Sequence, residues 1–206
     1  DSSYDRLFRD FLFTNMEKGS RLRDNANGVL EFNSGVFVKP DLQKIESKNL
    51  KADQSNTAII FGDQYFFKFY RKIEKEINPD LEIIRYLTEN TSFLHSPPYA
   101  GSVLYRDSDD NTIVFGLLQD KVDNKGDAWV MTMEAIGKYY EKARNHMEFP
   151  PLLDKAAIKF EEVPALMQQL IGREFYDLVI LLGKRTAEMH KALASEASNR
   201  AFTPEN

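Results

Sequence analysis

Two short runs constrain this chain more than any other feature: Thr57-Ala58-Ile59-Ile60-Phe61 and Tyr65-Phe66-Phe67-Lys68-Phe69, separated by Gly62-Asp63-Gln64. Crowded β-branched and aromatic side chains fit a pleated, half-buried surface better than a helix. A short polar connection led by glycine closes such runs into a tight antiparallel hairpin. A lone hairpin is marginal in water, so the flanking sequence has to complete a sheet and supply a layer to cover it.

The flanks supply both. Tyr4 to Phe13 reads as a helix that buries Leu7, Phe8, Phe11 and Leu12 and runs to about Lys18. Gly19-Ser20 and Asn25-Ala26-Asn27-Gly28 then punctuate a loop. Val29 to Val38 is short and extended, with Gly35 as a break and Pro40 as a stop, and Ile45 to Ala52 alternates weakly, as an edge strand does. After the hairpin, Asn78-Pro79-Asp80 sets out a helix start with a capping amide, a proline in the first turn and an acid near the positive end. That helix is expected to reach about Glu89 and to bury Ile83, Ile84 and Leu87. Ala100 to Arg106 and Thr112 to Leu118 follow as strands joined by Asp107-Ser108-Asp109-Asp110-Asn111.

From Gln119 the character changes. Lys121 to Asp127 is a polar connector, and beyond it the pattern is helical: Trp129 to about His146, Leu166 to Ile171, and Glu174 to Ala194. The last of these carries Leu178, Leu181, Leu182, Met189 and Leu193 as its apolar set. Trp129 is expected to pack at its helix start and His190 to be a buried structural residue. The expected class is α+β, an antiparallel sheet with one helix inserted after the third of five strands, followed by the start of a helical lobe.

Composition excludes several functions. The chain has 206 residues, 42% apolar and 29% charged, which suits a globular protein. A formal charge of −5 gives a polyanion no foothold, so nucleic acid is not an expected partner. With no cysteine, disulfides and thiolate metal sites are excluded. His95, His146 and His190 have no ligand spacing, so no metal site is expected from this chain alone. No apolar run approaches ~18 residues and no signal peptide opens the chain, which makes a cytoplasmic protein without a membrane span the expectation. The absence of an initiating Met and the polar tail Thr203-Pro204-Glu205-Asn206 read as boundaries inside a longer protein.

The order of parts matches one chemical arrangement. In the protein-kinase architecture a loop between early strands covers the phosphates of ATP, a strand lysine pairs with them, and an acid on the next helix holds that lysine. Here Gln54-Ser55-Asn56-Thr57 is a polar turn, Lys68 lies mid-strand between Phe67 and Phe69, and Glu82 is near the start of the inserted helix. Asp80 and Glu89 are rival partners for the lysine. Each part also has an ordinary reading: a strand lysine on a solvated face, a surface glutamate, plain turn chemistry. There is no G-x-G-x-x-G. A generic α+β binding domain fits the pattern equally well.

Longer stretches carry a resemblance. Gln54 through Asp63, Phe67-Lys68-Phe69-Tyr70-Arg71-Lys72 and Asn78-Pro79-Asp80-Leu81-Glu82-Ile83 are similar to maltokinase, in particular the maltokinase region fused behind trehalose synthase in many bacteria. The likeness continues through Pro97-Pro98-Tyr99-Ala100-Gly101, Leu118-Gln119 and Asn124-Lys125-Gly126-Asp127-Ala128-Trp129, and resumes in Leu182-Gly183-Lys184-Arg185-Thr186-Ala187-Glu188-Met189-His190. The resemblance implies the aminoglycoside-phosphotransferase variety of the kinase fold. Residues 1–28 would end an N-terminal cap region, 29–122 would form a protein-kinase-like N-lobe with the nucleotide site, and 123–206 would open a truncated helical C-lobe. It further implies that Ser55, Asn56 and Thr57 stand in the phosphate loop and that Lys68 holds the α/β-phosphates with Glu82 as its ion-pair partner. Gln119, Asp120, Lys121 and Val122 would form the hinge beside adenine, chiefly through backbone groups. The implied reaction is ATP-dependent phosphorylation of maltose to maltose 1-phosphate, with Mg²⁺.

One departure limits the carry-over. The family's His-Gly-Asp catalytic segment and its metal-binding aspartate do not occur in this sequence. The base and the Mg²⁺ ligands are therefore expected elsewhere, in the rest of a helical lobe, and this stretch alone is expected not to turn over. A non-catalytic, kinase-like nucleotide-binding or regulatory module attached to a glucan-active enzyme is the alternative, and an aminoglycoside- or choline-kinase-like relative with another acceptor is a third.

Overall fold

The computed structural model describes residues 2–35, 45–50, 56–75, 78–146, 159–195 and 202–203. The chain divides into two compact units, Asp1–Val122 with Lys191–Asn206, and Asp123–His190.

The first unit is built on one antiparallel sheet. Its described strands are β1 (Arg21–Arg23), β2 (Val29–Ser34), β3 (Ser47–Asn49), β4 (Asn56–Phe61), β5 (Tyr65–Tyr70), β6 (Tyr99–Arg106) and β7 (Thr112–Asp120). They lie side by side in the order β1-β2-β6-β7-β5-β4-β3. The expected hairpin is present: β4 pairs with β5 from Asn56↔Tyr70 to Phe61↔Tyr65. Its turn places Gly62 and Asp63 both at φ 56°, and the Gln64 N–H donates to the Phe61 carbonyl at 3.0 Å. Two consecutive positive φ values match the right-handed twist of the strands, and glycine adopts the first without strain. β1 was not anticipated; it falls in a stretch that reads as loop because three residues are too short to show a period.

Alternation along β5 feeds two cores. Tyr65 and Phe67 point to one face, where Ile59, Phe61, Phe32 and Leu118 meet Leu12, Phe13 and Met16 of the helix α1 (Arg6–Lys18). Asp5 caps the start of α1 by accepting from the Leu7 N–H, and Gly19 ends it in the left-handed region at φ 62°. The buried face differs from the expected one. Leu7 is 76% exposed and Phe11 43%, while Arg9, Leu12, Phe13 and Met16 go inside. Spacings of three, four and seven residues join Arg9 to Leu12, Phe13 and Met16, and Arg9 is accommodated because its guanidinium donates to the Ser3 carbonyl and to Ser47 Oγ and carbonyl.

The opposite sheet face carries the inserted helix α2 (Pro79–Asn90). There Tyr70, Tyr99, Leu104, Val114 and Leu117 pack with Leu81, and Ile84 lies against them partly buried. Leu81, Tyr86 and Leu87 are the buried residues of α2, so its inner stripe starts earlier than the expected set.

The second unit holds α3 (Ala128–Ala143), α4 (Ala165–Ile171) and most of α5 (Arg173–Leu193). Phe160, Val163 and Leu170 are buried, Phe160 beneath the Arg173 guanidinium and beside Tyr176. Trp129 is 74% exposed and His190 is exposed, so neither takes the packed role expected of it. Leu178, Leu181 and Leu182 of the expected apolar set are exposed. No helix among the described residues is long and apolar enough to cross a membrane.

Phe67 is fully buried at the meeting point of α1, β4 and β7. Phe67→Ala is expected to lower the unfolding free energy by about 3–5 kcal/mol. Leu94→Ala, at a residue 86% exposed, should change it by less than ~0.5 kcal/mol. Urea titration followed by circular dichroism distinguishes the two, and equal small effects would show that the hairpin does not carry the core.

Candidate functional site

The site grows from the polar members of the α2-facing side of the sheet. Residues paired directly across an antiparallel ladder share a face, as do residues two apart on one strand. Lys68 pairs with Ala58 on β4 and with Leu117 on β7. Its face therefore includes Phe66 and Tyr70 on its own strand, Asn56 on β4, and Gln119 on β7. Thr57 pairs with Phe69 and turns to the α1 side, where it is 4% exposed. This corrects the expectation for Thr57: strand parity puts its hydroxyl across the sheet from Lys68. Asn56 stays half-buried on the lysine's face. Ser55 lies outside the described residues.

Lys68 Nζ donates to Asp80 Oδ2 at 2.8 Å, and the Tyr70 hydroxyl donates to the same oxygen at 2.9 Å. Glu82 is not the lysine's partner. Asp80 and Glu82 are two residues apart on α2, a rotation of about 200°, so they cannot face the same strand. Glu82 instead lines a cavity of about 380 Å³ with Arg85, Glu89, Arg106, Tyr86 and Phe202. The rival carboxylate Glu89 is held by Arg85 Nε at 2.9 Å.

Local sequence explains why Asp80 reaches β5. Asn78 Oδ1 accepts from the Asp80 N–H at 2.9 Å, and Pro79 fixes the first turn. This cap holds the Asp80 carboxylate at the positive end of the helix, where negative charge is favoured. The Lys68 and Asp80 side chains are 31% and 37% exposed. Partial exposure spares the pair the full cost of burying two charges, and an ammonium carries more donors than one bond uses. The arrangement can therefore hold a second anion on the lysine without breaking its tie to the helix. Tyr70 is 6% exposed, and burial first, then the Asp80 charge and hydrogen bond, push its phenol well above the ordinary tyrosine range.

The end of β7 is anchored to the same unit. Gln119 is 4% exposed and its Nε2 donates to the Pro97 carbonyl at 3.4 Å. The Asp120 N–H donates to the Pro98 carbonyl at 3.0 Å and the Lys121 N–H to the Gln64 carbonyl at 2.7 Å. Lys121 Nζ lies 3.4 Å from Asp63 in the hairpin turn. Val122 is 52% exposed. The structure thus gathers Asn56, Lys68, Tyr70 and Gln119 on one sheet face and ties the Gln119–Val122 segment to the β4–β5 turn. Tyr70 was missed, although its position two residues after Lys68 is the signal that places both on one face. Among the described residues no group of three or more His, Cys, Asp or Glu side chains converges as a metal site.

The fold is similar to part of that of a sugar kinase. A glucosamine kinase solved in complex with glucosamine, ADP and inorganic phosphate matches with a TM-score of 0.55 over 93% of this chain, at 14% identity. Two further glucosamine kinase crystal forms match with a TM-score of 0.50 at 15% and 16% identity, over 91% and 85% of this chain. The chain spans 36–39% of the length of these proteins. No protein-family model matches the chain.

The position of Tyr70 has a consequence at alkaline pH. The folded chain keeps the phenol proton where the unfolded chain, titrating near pH ~10, releases it. The unfolded state then binds fewer protons, so this contribution is complete below pH ~10 and is lost as pH rises further. Tyr70→Phe should make the loss of stability between about pH 9 and pH 11 shallower. Urea midpoints across that range measure it, and parallel declines in both proteins would show that Tyr70 titrates as an ordinary surface tyrosine.

Proposed function

We propose that this chain is the nucleotide-holding part of a sugar kinase of the maltokinase kind, serving transfer of a phosphoryl group from ATP to maltose. The observation that carries the reading is the Lys68–Asp80 pair at 2.8 Å, formed between a central strand and the first turn of the inserted helix. A strand lysine tied to the next helix is the arrangement that orients an ammonium toward nucleotide phosphates. The sheet order β3-β4-β5-β7-β6 around Lys68 supports the same reading, because it sets the lysine strand between the strand that follows the polar turn and the strand that leads to the hinge.

The chain's own residues bind and orient. Lys68 holds the α/β-phosphates and offsets charge that shifts during transfer. Asn56, next to Ser55 in the phosphate loop, contributes amide donors from the same sheet face. Gln119, Asp120, Lys121 and Val122 flank adenine. Their backbone contribution excludes the Asp120 and Lys121 N–H groups, which already serve Pro98 and Gln64. Glu82 is given no part in holding the phosphates, since it lines the cavity beside Arg85 and Arg106 instead of meeting Lys68. ATP would supply the phosphoryl group, and Mg²⁺ when bound would offset the charge of its oxygens. The residues described here do not form a cage for that ion. The maltose acceptor, the link to a trehalose synthase domain and a cytoplasmic setting rest on the resemblance of residues Gln54–Asp63, Phe67–Lys72 and Asn78–Ile83 to maltokinase.

Lys68→Met in the native protein is expected to weaken ATP binding at least about tenfold, or ~1.4 kcal/mol. Its effect on unfolding free energy should stay below ~1 kcal/mol, since the lost pair is partly exposed. Calorimetry with ATP and Mg²⁺, beside urea titration, reads both. Unchanged affinity would sink the site assignment. Tight ATP binding without maltose phosphorylation would identify a regulatory module instead of a kinase.

A further inference from the structure

We propose that Tyr70 is a positioning residue that fixes the direction of Lys68 by holding Asp80. The inference deepens the nucleotide-site reading and rests on it. Lys68 and Tyr70 donate to one and the same carboxylate oxygen, at 2.8 and 2.9 Å. The three groups differ greatly in freedom. Lys68 has a long flexible stem and is partly exposed, and Asp80 is partly exposed as well. The Tyr70 ring is wedged among Leu81, Leu104, Val114 and Leu117 with 6% of its surface exposed. Of the three side chains, the phenol is by far the most buried.

That ordering gives the contact a direction. The ring pins the carboxylate oxygen, the oxygen pins the ammonium, and the ammonium is presented with donors to spare. Its rotamer freedom is then lost on folding and not on ligand binding, which raises affinity for whatever anion the lysine meets. A neutral donor on the shared oxygen stabilises the carboxylate without competing for the phosphate. Packing alone would be served equally well by phenylalanine at this position.

Tyr70→Phe tests the hydroxyl and keeps the ring. In the native protein it should weaken ATP binding about tenfold and leave adenosine, which has no phosphate, within about twofold, because a lost charge-assisted bond acts only through Lys68. A merely structural lesion would lower both. In a Lys68→Met background the same change should add no further loss, since two members of one chain of contacts do not act additively. Acylation of Lys68, followed by mass spectrometry without nucleotide, should be severalfold faster in Tyr70→Phe than in the parent, with exposed Lys184 as the internal reference. If Lys68→Met weakens ATP but Tyr70→Phe leaves the ATP-to-adenosine ratio and the acylation rate unchanged, the positioning role is overturned while the nucleotide site stands. If Lys68→Met itself has no effect on ATP, or the parent protein binds none, the nucleotide-site reading fails and the positioning role fails with it.

Discussion

The period of two along β5 is the constraint on which the first unit turns. Tyr65 and Phe67 build the α1 layer, while Lys68 and Tyr70 belong to the α2 layer. One strand thus contributes the core that fixes the sheet and the charge that gives one face its chemistry. A shift of register by a single residue would exchange the two sets, burying an ammonium against Phe13 and Phe61 and moving the ring of Phe67 to the α2 face. The energetic penalty of that exchange makes the register of β5, and hence the place of Lys68, a property of the whole aromatic core. The position of Lys68 inherits its rigidity from packing on the far side of the sheet.

Much of this was legible in the residues. The hairpin followed from its aromatic and β-branched runs, and the start of α2 followed from Asn78-Pro79-Asp80, because cap chemistry is local and needs no tertiary information. Glu82 was misjudged as the lysine's partner because closeness in sequence on a helix says little about direction: a step of two residues turns the side chain by about 200°. Thr57 was misjudged because strand parity is set by pairing, and the pair Thr57↔Phe69 is decided by the turn at Gly62 and Asp63. The inner face of α1 was read one step too early because Arg9, charged and apparently solvated, is in fact bonded inward to Ser3 and Ser47. The guanidinium is paired by Ser3, before the helix begins, and by Ser47, far along the chain, and no helical period announces either.

The likeness to glucosamine kinase spans both units, yet the residues that carry a chemical argument lie in the first. This division has a physical basis. Holding an anion needs a fixed positive charge and fixed polar groups, which a well-packed sheet with a helix on each face provides. The helices of the second unit bury few side chains and leave Trp129, Tyr140 and Leu182 widely exposed, at 74%, 62% and 66%. Residues that lack close packing on several sides keep their rotamer freedom, and a group with that freedom must surrender it on binding. Precision in this chain is therefore concentrated where β4, β5, β7 and α2 meet.

The use of aspartate at position 80 completes the argument. A shorter carboxylate at the second position of α2 requires the helix N-terminus itself to approach β5, and the Asn78 cap and Pro79 hold that turn in place. A longer acid deeper in the helix would reach the lysine by its own flexible stem and would be free to leave it. Asp80 instead combines three stabilising influences on one charge: the helix N-terminus, the Lys68 ammonium and the Tyr70 hydroxyl. Each is weak alone at a partly exposed site. Together they hold the carboxylate between the helix start and β5, so that one oxygen links α2 to both Lys68 and Tyr70. An acid chosen for its backbone position, and not for its reach, ties the direction of Lys68 to the folding of the helix start.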